Sequence, residues 1–254
     1  MEYVVLFLFF VLGLIIGSFL NVVIYRLNTS KSLGGRSACM SCQNKLSWYE
    51  LIPLLSFLGL KGRCQNCKTK ISIQYPLVEL LTGLIFAGLF LKLFQNNFFI
   101  FNFVFVFTFI YYAAMFSLLL VIAVYDLRHK IIPNNLALTF CVLSIFSSNA
   151  FIFAIFDGIF LALPFAFLWL VSKGTWIGLG DAKLVLGLGW FLGFSQALSA
   201  IMLAFWSGAL VGLALLIFKK TSTGMKTEIP FAPFLIVGAF IAFIFNLRLF
   251  DINF

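Results

Sequence analysis

In the stretch LALPFAFLWLVSKGTWIGLGDAKLVLGLGWFLGF (residues 161–194), two apolar runs flank the tetrapeptide Gly178-Leu179-Gly180-Asp181. Apolar runs of this kind are typical of helices that cross a membrane, so Asp181 is predicted to lie at or near a membrane boundary. An acid in that position is costly and indicates a function. Asp181 could instead only cap the helix that follows, and for the tetrapeptide alone capping is the better explanation.

A second acid makes a catalytic role for Asp181 more favourable than capping alone. Asp126 stands in Tyr125-Asp126-Leu127-Arg128, at the end of another apolar segment. Two carboxylates that share one proton can activate water, because one accepts a proton while the other protonates the substrate oxygen. We therefore expect Asp126 and Asp181 to form a catalytic pair. Gly178 and Gly180 are expected to support it, since glycine allows unusual backbone angles and the close approach of a peptide.

Composition indicates an all-α polytopic membrane protein. The chain has 254 residues, of which 63% are hydrophobic and 10% charged, and its mean hydropathy is +1.12. The two segments that follow the acids hold near fourteen residues each, or about 21 Å of helix against a hydrocarbon core of about 30 Å. They could leave a recess that admits water, or the bilayer could thin locally. About eight transmembrane helices are predicted, at residues 4–25, 76–94, 98–125, 133–146, 150–171, 181–194, 196–218 and 230–246.

The basic residues predict the orientation of these helices. The formal charge is +9, but a nucleic-acid partner is not needed to explain it. With eight spans, 15 of the 17 Lys and Arg residues fall in four loops on one side of the membrane. These loops, at residues 26–75, 126–132, 172–183 and 219–228, are therefore assigned to the cytoplasm and both termini to the outside. Both acids then face the cytoplasm, and the N-terminal run, which lacks a basic segment before it, is expected to be a retained span.

The long loop at residues 26–75 contains a metal-binding signature. Cys39-Met40-Ser41-Cys42 and Cys64-Gln65-Asn66-Cys67 are two Cys-x-x-Cys pairs with 21 residues between them. This spacing suits a tetrahedral zinc site in which four thiolates leave no open position, so the zinc is expected to be structural. Redox chemistry is the alternative, and a reducing cytoplasm disfavours disulfides. The predicted ligands are Cys39, Cys42, Cys64 and Cys67, whereas Cys141 lies in an apolar span and is expected to pack.

These features divide the chain into three parts: a first transmembrane helix at residues 1–25, a cytoplasmic zinc loop at residues 26–75, and a transmembrane domain with the two acids at residues 76–254. Glu79 falls within the second predicted span. Its carboxylate could be a functional group or a partner for a cation of the loop. Equally, it could extend to the lipid headgroups.

Motifs over most of the chain form one pattern: Gly17-Ser18-Phe19-Leu20-Asn21, both cysteine pairs, Trp48-Tyr49-Glu50-Leu51-Ile52-Pro53, Tyr75-Pro76-Leu77-Val78-Glu79, Asp126 with Ile132-Pro133-Asn134, Gly178 to Lys183, and Ile229-Pro230-Phe231. With this pattern the chain resembles the type IV prepilin peptidases, which are leader peptidases and N-methyltransferases related to the Gly-x-Gly-Asp intramembrane aspartyl proteases. The resemblance implies that residues 76–254 are the aspartyl peptidase domain. Three positions depart from the family pattern: Met40 replaces a usual Pro, Gln74 a usual Arg and Ala232 a usual Gly.

The resemblance implies a function in the bacterial inner membrane. A member of this family cleaves prepilins or pseudopilins after a glycine at the cytoplasmic face, and Asp126 and Asp181 match its catalytic pair. It then methylates the new N-terminus with S-adenosylmethionine as the methyl donor, although the residues that bind this donor are not identified. Membrane lipid is the other expected partner. Two alternatives are a peptidase without methyltransferase activity and a proton-coupled transporter that uses the same acids, although no internal repeat supports a transporter.

Overall fold

The computed structural model describes residues 2–29, 32, 34–96, 102–147, 151–218 and 229–249, with only the backbone of residues 96 and 151–154. The predicted basic loop at residues 219–228 lies outside this part of the chain. Two short 3-10 segments, Trp48–Leu51 and Ile145–Ser147, accompany the α-helices. The α-helices are α1 (Glu2–Arg26), α2 (Leu55–Gly59), α3 (Gln74–Asn96), α4 (Phe103–His129), α5 (Asn134–Ser144), α6 (Phe151–Ser172), α7 (Leu179–Leu192), α8 (Phe194–Phe218) and α9 (Ala232–Ile244).

Eight of these helices match the eight predicted spans, so the all-α polytopic fold is confirmed. In the described ranges, α1, α3, α4, α6 and α8 are long and apolar enough to cross a membrane. The other three, α5, α7 and α9, have 11, 14 and 13 residues. The chain is therefore a multi-pass membrane protein in which short helices lie among long ones.

Two helix ends differ from the sequence-based bounds. Helix α4 continues to His129, so Asp126 lies within its last turn. Helix α7 begins at Leu179, so Asp181 lies inside its first turn and Gly178 is the N-cap. Helix α7 ends at Leu192, and its C-cap Gly193 has a φ of 76°. Such positive φ angles favour glycine and stop a helix, which is why α7 is short.

The chain divides into two compact units, and the first contains Met1–Ser117. In this unit α1 packs closely on α3 because glycines face the contact. A Cβ atom at Gly13 would lie 2.7 Å from the carbonyl oxygen of Thr82, and one at Gly17 would lie 2.7 Å from Cα of Glu79. Small residues at such crossings allow two helix backbones to approach closely in a membrane. The glycines thus fix the position of Glu79 against α1.

The second unit contains Leu118–Phe254, and α7 is its central helix. Seven of the fourteen residues of α7 are buried. Helices α5, α6, α8 and α9 all contact it. Close approach again depends on glycine, because a Cβ at Gly187 would lie 2.6 Å from Phe140, and one at Gly189 would lie 2.5 Å from Cα of Gly158. The helix that begins with Asp181 is therefore held on several sides.

Candidate active site and metal centre

Asp126 lies in the last turn of α4, and its side chain is 5% exposed. Its carboxylate accepts a hydrogen bond from the backbone N–H of Ala232, the first residue of α9. The first N–H groups of a helix have no partner within the helix, and the positive end of the helix dipole attracts an anion. The start of α9 therefore provides a fitting partner for a buried carboxylate.

Asp181 is the third residue of α7. Its carboxylate accepts a hydrogen bond from the backbone N–H of Gly178, the N-cap. The acid thus caps its own helix from within the first turn, as an N3 acid does in a capping box. Its Oδ1 atom is enclosed, yet has no hydrogen-bond partner in the described part of the chain. Capping therefore occupies only part of this carboxylate.

The structure brings the two acids together in the second unit, where they are close enough to interact electrostatically. Each carboxylate receives one backbone N–H, from Ala232 or from Gly178. A buried polar atom without a partner needs an explanation, and Oδ1 of Asp181 is such an atom within electrostatic range of a second carboxylate. This oxygen can accept a hydrogen bond from a water molecule.

The two glycines of the motif have different surroundings. A Cβ at Gly180 would lie 2.7 Å from Cβ of Ile132, whereas the nearest atom to one at Gly178 would be Oδ2 of Asp181, at 3.4 Å. Gly180 therefore permits contact between the start of α7 and the connection from α4 to α5. Gly178 acts through its N–H group, which any residue except proline also has.

A side-chain hydrogen bond holds the same connection to α7. The Lys183 ammonium donates to Oδ1 of Asn134 over 2.7 Å, between residues 49 apart in the chain. Asn134 is the first residue of α5, and Lys183 follows Asp181 by two positions. The bond therefore ties the segment that follows Asp126 to the segment that contains Asp181.

The two cysteine pairs form two turns of the same design. Cys39 N–H donates to the carbonyl of Asn44 and Cys64 N–H to that of Thr69. An isolated β-bridge closes each turn, Ala38 with Lys45 and Arg63 with Lys70. The residue after each second cysteine, Gln43 or Lys68, has a φ of 58° or 59°. Each pair is therefore a knuckle, as the spacing predicts.

The sulfur atoms of the four cysteines lie within 4.8 Å of one another. Cys39 Sγ and Cys67 Sγ are 3.8 Å apart, and a tetrahedral site with Zn–S bonds of about 2.3 Å has S–S edges of about 3.8 Å. The Thr69 hydroxyl lies 2.7 Å from Cys67 Sγ. The hydrogen bond from Thr69 lowers the pKa of Cys67 to about 6, whereas desolvation and the neighbouring thiols raise the pKa of Cys42 to about 11. The cluster fits a zinc ion.

The side chain of Glu79 contacts the backbone of the zinc loop. The side chain is 7% exposed, and its Oε2 accepts a hydrogen bond of 2.9 Å from the N–H of Leu54. The Ser18 hydroxyl of α1 donates to the same carboxylate. Glu79 is therefore enclosed between α1, α3 and the loop rather than extended towards lipid headgroups, and its loop partner is an amide instead of a cation.

Leu54 has an uncommon backbone conformation, with a φ of 59° and a ψ of −49°. The N–H of Leu55 donates to the carbonyl of Pro53 over 2.6 Å, which makes a γ-turn of the rare, strained kind. Strain of this kind persists where surrounding contacts fix it, and it is frequent at functional sites. Here the fixing contact is the carboxylate of Glu79.

Asn21, on α1 one turn after Ser18, is another buried polar residue. It is 1% exposed, and its side-chain amide donates to the carbonyl of Tyr75 over 3.1 Å. The rings of Tyr25 and Tyr75 stack at a centroid distance of 4.9 Å. These contacts hold the end of α1 beside the start of α3, so both ends of the zinc loop lie close together.

Comparison of the sequence with known proteins assigns the chain to a family. Residues 11–93 match the bacterial peptidase A24 N-terminal domain, and residues 113–213 match the model of the type IV leader peptidase family. A protein of Bacillus subtilis named prepilin leader peptidase/N-methyltransferase is 32% identical over 251 residues, which cover 93% of each chain. The chain belongs to the type IV leader peptidase family.

Proteins of the same name in other bacteria agree with this assignment. The one from Myxococcus xanthus is 37% identical over 229 residues, and the matched segment covers 86% of this chain and 65% of that relative's length. The one from Pseudomonas aeruginosa is 30% identical over 92% of this chain and 88% of its own. No solved structure matches the chain at a significant level.

The family models divide the candidate residues of this type IV leader peptidase. The N-terminal domain contains the four cysteines and Glu79, and the peptidase domain contains Asp126 and Asp181. Ala232 lies beyond both matched segments. Sequence reasoning missed its role because the donor is a backbone N–H, although Pro230 and Pro233 around it mark a helix start. It also missed the bond between Lys183 and Asn134.

Proposed function

We propose that this type IV leader peptidase cleaves the leader of prepilin-like proteins after a glycine and then methylates the new N-terminus. The names of its relatives support both activities. The observation that carries the cleavage half is the electrostatic interaction between two carboxylates, the buried Asp126 in the last turn of α4 and the partly buried Asp181 in the first turn of α7. An aspartyl peptidase requires such a pair of carboxyl groups.

In the proposed cleavage step, the pair shares one proton. The ionised carboxylate accepts a proton from water, which attacks the carbonyl carbon, while the protonated carboxyl donates to the carbonyl oxygen. The C–N bond then breaks: the amine leaves with a proton from the pair, and a hydroxyl of the tetrahedral carbon returns a proton to the pair as the new carboxyl group forms. The N–H groups of Ala232 and Gly178 stabilise the single negative charge. Gly180 lets the connection that contains Ile132 pack against the start of α7, and this contact keeps the acids in register.

Methyl transfer has different requirements. It needs a neutral amine held in line with the methyl group of S-adenosylmethionine, a co-substrate, and depends mainly on positioning. The N-terminal unit is the proposed contributor, with Glu79 holding Leu54 and thereby residues 48–56 of the loop. Zinc on the four cysteines would stabilise this loop, which has little apolar core of its own. Closed four-thiolate coordination gives zinc no part in either reaction.

The proposed location is the inner membrane of a bacterium, with both aspartates and the zinc loop at the cytoplasmic face and the termini outside. The distribution of Lys and Arg among the loops supports this orientation. The substrates would then be prepilins or pseudopilins with a basic leader in the cytoplasm and an apolar segment in the bilayer. Family membership gives no support to the proton-coupled transporter considered from the sequence.

One experiment tests both activities. Purified protein in vesicles is incubated with a prepilin and with isotopically labelled S-adenosylmethionine, and the product is analysed by mass spectrometry. We expect loss of the leader after its glycine and addition of one labelled methyl group at the new N-terminus. Cleavage without label would leave a peptidase only, and an intact prepilin would refute the proposal.

A further inference from the structure

The segment Trp48–Leu58 of the zinc loop leaves a row of large apolar side chains uncovered. Trp48 and Leu51 are 77% and 41% exposed, and Leu55 and Leu58 are 67% and 69% exposed. Each pair is separated by three residues within a short helix, the 3-10 helix Trp48–Leu51 or α2, so its two members share one side of that helix. We call these two exposed pairs together the loop's apolar face.

The apolar face is attached at the level of the membrane boundary. Between its two halves, Leu54 N–H donates to the carboxylate of Glu79. Glu79 follows the first residue of α3, Gln74, by five positions, which is about 7.5 Å of helix. Because α3 is one of the membrane-crossing helices, the hydrogen bond holds the middle of the segment beside the first turns of a span.

The cations beside this face have the sign that anionic headgroups require. Lys61, Arg63 and Lys68 line an open cleft of about 490 Å³ that begins at the end of α2. Residues 26–75 contain eight Lys or Arg and a single acid, Glu50. That acid is engaged, since its Oε2 accepts a hydrogen bond from the N–H of Ser47 over 2.8 Å.

Other side chains of the segment contact the rest of the loop. Phe57, between Leu55 and Leu58, packs on Gly62, where an added Cβ would lie 3.0 Å from the Phe57 ring. The Tyr49 hydroxyl donates to the side chain of Gln65 in the second knuckle over 3.2 Å. Tyr49 and Phe57 thus tie the segment to the neighbouring part of the loop, while the four side chains of the apolar face remain exposed.

We propose that the apolar face inserts into the interfacial layer of an anionic bilayer, with Lys61, Arg63 and Lys68 at the phosphate level. Tryptophan and leucine beside clustered cations are typical of segments that lie in a membrane interface. Anionic lipid attracts such cations and extends the attachment. The zinc loop then lies in the membrane interface, and it is attached to the membrane-spanning helices at three points: its two ends and Leu54.

The test uses the full chain in vesicles of phosphatidylethanolamine and phosphatidylglycerol. The photoreactive residue benzoylphenylalanine replaces Leu58 or, as a matched control, Met40, which is 59% exposed on the first knuckle. After irradiation, adducts are identified by mass spectrometry, and bound zinc is measured to establish that each variant keeps its loop fold. We expect at least about tenfold more lipid adduct at position 58 than at position 40.

A second arm separates charge from apolar contact. Adding Lys61→Gln and Arg63→Gln should reduce the adduct at position 58 in phosphatidylglycerol vesicles, but not in vesicles of phosphatidylcholine alone. Equal lipid adducts at positions 58 and 40 would overturn the proposal. So would transfer of the adduct from lipid to an added prepilin or to a second copy of the chain. None of these readouts requires peptidase activity.

Discussion

Gly180→Ala is the substitution that most sharply tests how the aspartates are positioned. An added Cβ would lie 2.7 Å from Cβ of Ile132, whereas unbonded carbon atoms rest at about 3.5–4.0 Å. Because Cβ of Ile132 is fixed to its backbone, a rotamer change cannot relieve the overlap. The connection between α4 and α5 or the start of α7 must therefore shift by about 1 Å.

The size of this shift sets the expected effect. A displacement of about 1 Å at a catalytic group can reduce a rate by about 10²-fold, and overpacking at a close contact costs about 1–3 kcal/mol of stability. We expect Gly180→Ala to lower the rate of prepilin cleavage by about 10²-fold. Thermal unfolding of the detergent-solubilised protein should show the chain still folded.

The matched control is Gly178→Ala in the same motif. Its Cβ would meet the nearest atom, Oδ2 of Asp181, at 3.4 Å, and its φ of −75° suits alanine. The N–H that Asp181 caps remains, so we expect cleavage within about threefold of the natural rate. The change of N-cap residue should cost about 1 kcal/mol of stability or less. Similar rates for the two variants, or a slower Gly178→Ala, would refute the assigned roles.

Three further predictions concern the surrounding residues. Cys67→Ser should lower bound zinc well below one ion per chain, measured by elemental mass spectrometry, and expose the loop to protease before the helices; full zinc occupancy would exclude Cys67 as a ligand. Lys183→Met should lose the hydrogen bond to Asn134 and slow cleavage by about tenfold with little change in KM. Lys183→Arg retains a donor and should slow cleavage less. Equal cleavage rates for the two variants would exclude positioning by this hydrogen bond. Glu79→Gln keeps an acceptor for the Leu54 N–H but removes the charge, which strengthens the hydrogen bond by about 1 kcal/mol. Methylation of pre-cleaved pilin should therefore fall by about fivefold and prepilin cleavage by less. A larger loss of cleavage than of methylation would contradict the proposed division of the two activities between the two units.

The helices that contain the aspartates were predictable in outline from the sequence. Apolar segments located the helices, and the Lys and Arg asymmetry predicts that Asp126 and Asp181 lie on one side of the membrane. The fourteen-residue length of α7 follows from Gly178 and Gly193 at its two ends. Two helix ends differed by a few residues because apolar patterns show where a span lies, but not where its last hydrogen-bonded turn ends.

The contacts that hold the aspartates were not predictable in the same way. The N–H of Ala232 has no side-chain signature, and its partner Asp126 is remote in sequence. The bond from Lys183 to Asn134 joins residues 49 apart, and nothing local pairs them. Leu54 has a positive φ that its own side chain disfavours, so only the tertiary contact with Glu79 explains it.

The zinc knuckles were predictable because their information is local. A Cys-x-x-Cys turn needs only a few residues, and the repeated hydrogen bonds at Cys39 and Cys64 arise within each turn. The closeness of the two pairs needed the structure, because the 21 residues between them could have held the knuckles apart. Local chemistry was thus easier to predict than the contacts between distant segments.

The central claim is that Asp126 and Asp181 together perform the cleavage. The most direct measurement is the rate of prepilin cleavage by Asp126→Asn and by Asp181→Asn in vesicles, followed by mass spectrometry, with bound zinc and thermal unfolding as checks of folding. Each variant should cleave at least about 10³-fold more slowly and still methylate pre-cleaved pilin. Cleavage at the natural rate by either folded variant would contradict the claim.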